Sequence, residues 1–253
     1  MPPLVTEAIV LHAFDYLETS RIIRLMTRDA GIQSVLARGA RNSRKRFGNA
    51  VDLFAQGTAE IHFRPDRELQ SLNALEVTRS RSQMAQDVGR FTAGSMIAEL
   101  AMRCTSDEPA PGLFDAVEMA LDRIVAAAPD DTVDAALSGA WHMVATLGFT
   151  PALDLCANCH SSLDPAATVA FSHSAGGAVC ASCAAQIRSR RELPRAARTA
   201  IRHWIAGGRT PGLTSADARA HQRLLREFFR EHLGIDREMQ AYRIWEQGAW
   251  TAA

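Results

Sequence analysis

The sequence predicts an α+β fold: a small N-terminal antiparallel β-barrel, then an all-helical region interrupted by a four-cysteine module. Three observations predict it. Apolar residues alternate with a period of two as far as about residue 80. After residue 82 the apolar spacing becomes helical. Four of the five cysteines stand in two matched pairs. A chain of 253 residues, 47% of them apolar, has material for one large domain or two to three small ones, and its composition is neither disordered nor membrane-spanning. The start, MPPLVTEAIVLHAF, has no basic leader and is not read as a signal peptide. The expected compartment is the cytoplasm, where thiols stay reduced and paired cysteines point to metal more than to disulfides.

In the first segment Val5, Glu7, Ile9 and Leu11 fall on one face of a strand, and Thr6, Ala8, Val10 and His12 on the other. Further runs follow at Arg21 to Met26, Ile32 to Arg38, Thr58 to Arg64 and Leu69 to Val77, with a turn signal at Asp29-Ala30-Gly31. Five short strands without a long helical crossover predict a small antiparallel barrel over residues 1–80. An oligonucleotide-binding (OB) barrel and an SH3-like barrel fit the strand count equally. Residues 81–253 form the helical region. Leu113, Val117, Leu121, Ile124 and Val125 share one helical stripe, and Leu137, Trp141, Val144 and Leu147 another, which Gly148 and Pro151 close. Pro194 suits the first turn of a helix with Ala197, Ile201, Trp204 and Ile205 as its stripe. Thr214 or Ser215 can cap a last long helix through Leu224, Leu225, Phe228 and Phe229, which Gly234 can end.

The module, at about residues 153–187, reads Cys156-x2-Cys159, then 20 residues, then Cys180-x2-Cys183. Two residues between cysteines let a tight turn aim both thiolates at one point, and two such knuckles supply four sulfurs to a tetrahedral zinc. Pro165 and Gly176-Gly177 predict a loop or hairpin between them. His160 or His173 replacing a cysteine, and two disulfides, are the alternatives. A catalytic zinc keeps an open position, and four cysteines close the shell, so one structural Zn2+ is expected. Cys104 is expected to be a core residue. There is no phosphate-binding P-loop, no G-x-G-x-x-G after a strand and no G-x-S-x-G elbow, so nothing reads as an active site.

Net charge is zero, yet the charges segregate. Arg38, Arg41, Arg44, Lys45 and Arg46 crowd one loop without an acid, whereas Cys104 to Asp134 holds eight acids against Arg123 alone. The loop reads either as a solvated loop or as a nucleic-acid contact beside the barrel groove. Arg219, Arg223, Arg226 and Arg230 share one face of the last helix. They read as a solvated face paired to Glu227 and Glu231, or, joined by Arg195, Arg198 and Arg202, as a second phosphate-contacting face. Phe228 and Phe229 read as core, with a groove for a partner's tail as the other reading.

The order of these parts resembles the bacterial recombination mediator family RecO. The resemblance rests on TEAIVLHAFDYLETSRIIRLMTRDAG, the loop LARGARNSRKRFG, and LGFTPALDLCANC followed by SAGGAVCASC, with REFFREHLG as a weaker echo. It covers nearly the whole chain. It implies an OB barrel and a helical domain with an inserted zinc module held by Cys156, Cys159, Cys180 and Cys183. It also implies a non-enzymatic, cytoplasmic and nucleoid-associated protein that binds single- and double-stranded DNA and anneals complementary strands. Such a protein would help load recombinase onto gaps coated by single-stranded-DNA-binding protein, with RecR as partner. The resemblance implies that Arg38, Arg41, Arg44, Lys45 and Arg46 correspond to the family's basic barrel loop, the expected nucleic-acid contact. The tail IDREMQAYRIWEQ departs from the commoner ending, so no partner pocket is carried over there. A zinc-containing RNA-binding factor and a pure protein scaffold are the competing readings.

Overall fold

The computed structural model describes residues 3–40, 52–64, 66–105, 108–235 and 239–248. Five strands, β1 (Leu4–Tyr16), β2 (Ser20–Thr27), β3 (Gly31–Ala37), β4 (Gln56–His62) and β5 (Leu69–Arg79), close into a barrel in the order β1-β2-β3-β5-β4. All neighbours are antiparallel except β3 and β5, which run parallel, and β4 returns to pair with β1. That parallel pair and that closure are the OB connection, and they remove the SH3-like alternative. Ala8, Val10, Ile23, Leu25, Val35, Ala59 and Ile61 fill the interior.

β1 is longer than its alternation predicts because it serves two partners in succession, pairing with β4 through Ile9 and with β2 from Ala8 onward. A bulge between Val10 and His12 shifts the register. The side chains after it therefore change sides. Thr6, Ala8 and Val10 are buried, but His12 leaves their face and is exposed, which corrects the simple alternation. Ile9 and Leu11, on the outer face, are buried as well, because the helical region packs there.

The helical region begins with α1 (Val88–Cys104), α2 (Pro111–Ala126) and α3 (Thr132–Thr146). The cysteine module follows, with β6 (Val169–Ser172), β7 (Gly177–Val179), the single turn α4 (Ala181–Ala184) and β8 (Arg191–Leu193). Its sheet has the order β7-β6-β8. α5 (Arg195–Ile205), α6 (Ser215–His232) and α7 (Gln240–Gln247) complete the chain. Thr214 caps α6, its hydroxyl accepting from the Asp217 N–H at 3.1 Å. Gly234 follows α6 with φ 60°, the left-handed conformation that glycine adopts without cost. Pro194 stands one residue earlier than predicted, as the N-cap of α5.

One core joins both parts: Ile9, Leu11, Met26, Ile32 and Phe54 of the barrel meet Met84, Met96 and Ile97 of the helical region. Phe228 and Phe229 belong to this core, 1% and 2% exposed. α7 lies beyond the last predicted helix, and Gly248 ends it at φ 61°. It is held by Tyr242 and Trp245, both buried, and by Glu99 of α1, whose carboxylate accepts from the N–H groups of Gln240, Ala241 and Tyr242 at 3.0, 2.8 and 3.2 Å.

Candidate metal centre and nucleic-acid interface

The two knuckles converge. The Sγ atoms of Cys156, Cys159, Cys180 and Cys183 all lie within 4.8 Å of one another. A tetrahedral ion with bonds of about 2.3 Å needs sulfurs about 3.8 Å apart, and Cys159 and Cys180 stand at 3.8 Å. The first knuckle is shaped by a turn in which the His160 N–H donates to the Cys156 carbonyl at 2.9 Å. His160 itself takes φ 60°, a position glycine more often fills. In the second, Cys180 caps the short α4. The predicted hairpin between knuckles is β6–β7, with Gly176 at φ 79° in its turn. Gly177 lies so close to Ala152 that a Cβ would strike its backbone.

Hydrogen bonds to the sulfurs favour thiolates. Ser182's hydroxyl and the Cys183 N–H hold the Cys180 thiol down at about 6. Burial pushes Cys156 up, but the N–H groups of Cys159, Cys180 and Asn158 outweigh it and leave the thiol below its ordinary value. Asn158 donates to Cys183 at 3.4 Å and lowers it, yet Cys180, burial and the other sulfurs leave it raised to about 11. Four crowded thiolates would repel one another, a cation among them would offset that repulsion, and an all-sulfur donor set fits a closed tetrahedral metal site. Among the described residues neither His160 nor His173 joins the cluster. His173 instead meets the Leu224 carbonyl through Nε2 at 3.1 Å. No disulfide links the four cysteines, and Cys104 is half-buried against the core, its thiol raised to about 11 by burial.

The proposed second basic face divides. Arg198 is buried, at 0% exposure, and its Nη2 donates to the Asp164 carbonyl at 2.6 Å. Arg202 pairs with Asp154. Both are clasps between α5 and the cysteine module, and Arg198 cannot reach a phosphate. Burial lowers the pKa of Arg198, with Arg202 adding to the effect. Glu227 pairs with Arg191 of β8 and not with its own helix's stripe, while Arg226 pairs with Glu246 of α7. Arg195, Arg219, Arg223 and Arg230 remain exposed.

Of the basic loop, Arg38 is exposed just past β3, and Arg41, Arg44, Lys45 and Arg46 lie outside the described residues. Beside Arg38 is a surface that charge counting missed. Beyond the β1 bulge His12, Phe14 and Tyr16 pair with Arg24, Ile22 and Ser20 of β2. Phe14 and Tyr16 are 45% and 40% exposed, and the His12 and Phe14 rings lie 5.9 Å apart. Arg24 donates to Ser34 of β3 at 2.5 Å, which holds its guanidinium over the sheet. The alternation His12, Phe14, Tyr16 was a readable signal. The bulge that turns it outward was not.

Among the described residues no helix is long and apolar enough to cross a membrane. A family model described as Recombination protein O N terminal matches residues 1–81, and one described as Recombination protein O C terminal matches residues 85–240. The DNA repair protein RecO of Anaeromyxobacter sp. (strain K) is 33% identical over 234 residues, covering 89% of this chain and 90% of the relative. The DNA repair protein RecO of Myxococcus xanthus (strain DK1622) is 31% identical over 232 residues, covering 90% of this chain and 91% of the relative. With the closed OB-like barrel, the helical region and the clustered cysteines on one chain, and both family models spanning it, the chain belongs to the RecO family of DNA repair proteins.

Proposed function

We propose that this protein binds single- and double-stranded DNA, anneals complementary strands without bond chemistry, and helps load recombinase with RecR on gaps coated by single-stranded-DNA-binding protein. The observation that carries this reading is the outer face of β1–β3, where exposed Phe14 and Tyr16 follow His12, the strand partner of Arg24, and where Arg38 leads into the basic loop. Aromatic faces stack on bases of any sequence, and arginines neutralise phosphates, so one strand can be held with its pairing edges free. The bound ion at Cys156, Cys159, Cys180 and Cys183 is Zn2+ in this reading. It supplies folding energy to the module and takes no part in a reaction.

The test measures oligonucleotide affinity against salt, and strand annealing, for the wild type, for Phe14→Ala/Arg24→Ala, and for a variant with Arg41, Arg44, Lys45 and Arg46 changed to Ala. Loss of four phosphate contacts flattens the slope of log K against log salt by roughly 2 to 3 for single strands. Loss of Phe14 stacking lowers affinity by about 1–3 kcal/mol per base, and loss of Arg24 flattens the slope by about 0.7. Normal annealing and an unchanged slope in both variants would remove the barrel from the DNA site.

A further inference from the structure

We propose that the cleft between the end of the cysteine module and α6 is a second site for a phosphodiester backbone, which receives the strand that the barrel does not hold. This rests on the annealing function proposed above. The cleft has a volume of about 410 Å3 and is lined from the module side by Arg188, Ser189, Arg190 and Arg191, and from α6 by Glu227, Arg230 and Glu231.

Its construction separates supporting charges from free ones. Arg191 donates to Glu227 through Nε at 2.6 Å and through a second bond from Nη2, so the module's last strand is pinned to α6. Those two charges offset each other, and the Arg191 guanidinium keeps the Glu227 carboxyl below its ordinary range. Arg190 is steered by its own bond to the Ile187 carbonyl at 2.6 Å, and Arg188, Arg190 and Arg230 have no acid partner among the described residues. Glu231 is the one acid left to oppose them, so four arginines against two acids leave the cleft at +2. His173 forms part of the wall, and burial holds its pKa below the ordinary imidazole value.

The chemistry selects a polyanion. Arginine forks match phosphate oxygens bidentately, which the lysine ammonium does not. No apolar side chain lines the cleft, so an acidic peptide would find no hydrophobic anchor there. Annealing also requires that two phosphate chains be brought together against their repulsion, and a cationic cleft apart from the barrel face meets that need. This places the second face at the module–α6 junction. Of the arginines expected from helical spacing, Arg230 alone belongs to it.

The experiment uses the full chain, labelled oligodeoxythymidine and a labelled complementary pair. Arg188→Ala/Arg190→Ala/Arg230→Ala changes three exposed side chains and leaves the Arg191–Glu227 pin in place. Annealing is expected to slow about tenfold, with the salt slope of two-strand binding flattened by roughly 2. Glu231→Gln is expected to tighten binding. Annealing and slope equal to wild type in the triple variant would overturn the cleft while leaving the barrel reading intact. Wild-type protein that binds the oligonucleotide but never accelerates annealing would overturn both.

Discussion

Arg81 and Arg198 are two arginines with almost no exposed surface, 2% and 0%, yet they stand in opposite situations. Each nitrogen of Arg81 has a partner: Asp122 at 2.7 Å, the Phe54 carbonyl at 2.8 Å and Gln56 at 2.8 Å. Arg198 makes one bond, and its Nε and Nη1 are buried without a protein partner. Replacing Arg81 by Met leaves the Phe54 carbonyl and Gln56 without their buried donor, while Asp122 keeps Arg79, and is expected to cost about 2–4 kcal/mol in urea denaturation. Replacing Arg198 by Met removes a poorly compensated buried charge and should be neutral to within about 1 kcal/mol, or stabilising. The salt slope of DNA binding should not move in Arg198→Met. A loss for Arg198→Met as large as for Arg81→Met, or a flattened slope, would contradict this account. Nothing in the sequence separates the two residues. Helical spacing placed Arg198 with Arg195 and Arg202, but spacing gives an angle around a helix and not what covers it.

The cysteine module shows what an element cannot do alone. Its strands β6, β7 and β8 have 4, 3 and 3 residues, and its own cluster is small: Cys156, Leu163, Ala178, Val179, Cys183 and Ala184. Strands so short do not hold together on backbone bonds alone. A structural zinc contributes about 10–16 kcal/mol of binding energy to its fold. With zinc at the cluster as proposed, a chelator is therefore expected to expose residues 155–193 to hydrogen exchange while β1–β5 keep their protection. Because β8 carries Arg191 and follows Arg188 and Arg190, annealing should fall in parallel. Unchanged exchange across the module would show that the metal does not hold it. The knuckles were legible because ligand chemistry fixes their spacing. The pairing of β8 with β6 was not, since three residues carry no alternation to read. α1 was equally hidden: Gly94, Ala93, Ala98 and Ala101 are buried around its circumference, so no single apolar stripe marks it.

At the scale of the molecule, barrel and helical region share a core and a band of charge. Arg28 pairs with Glu7 of the barrel at 2.9 Å and with Asp115 of α2 at 2.8 Å, and Arg79 reaches Glu118 of α2 at 2.8 Å. Gly94 of α1 sits under Met84 and Phe54, and a Cβ there would collide with the Met84 methyl and press on the Phe54 ring. Gly94→Val is expected to cost roughly 1–3 kcal/mol by overpacking this junction. Trp141, Trp204 and Trp245 lie in the helical region and the fourth tryptophan, Trp250, follows α7 in the chain, so fluorescence reports that part, whereas circular dichroism reports both. In the wild type the two signals should coincide through denaturation, and in Gly94→Val they should separate. Coincident transitions in the variant would show that the coupling of the two parts does not depend on the packing at Gly94. The acidic middle of the chain, whose role composition left open, supplies Asp115, Glu118 and Asp122 to this interface.

The sequence by itself determined the barrel's strand count, the change to helical period after residue 82, the caps at Thr214 and Gly234, and the four cysteines that cluster as a candidate metal centre. Each of these is a local requirement: a period, a dihedral angle or a ligand spacing written within a few residues. Tertiary structure alone decided the OB closure, because the parallel β3–β5 pair joins residues far apart in the chain. It decided that His12, Phe14 and Tyr16 turn outward, because one bulged residue reverses every side chain after it. It also decided which arginines are clasps and which face solvent, because burial is a property of the neighbours and not of the residue.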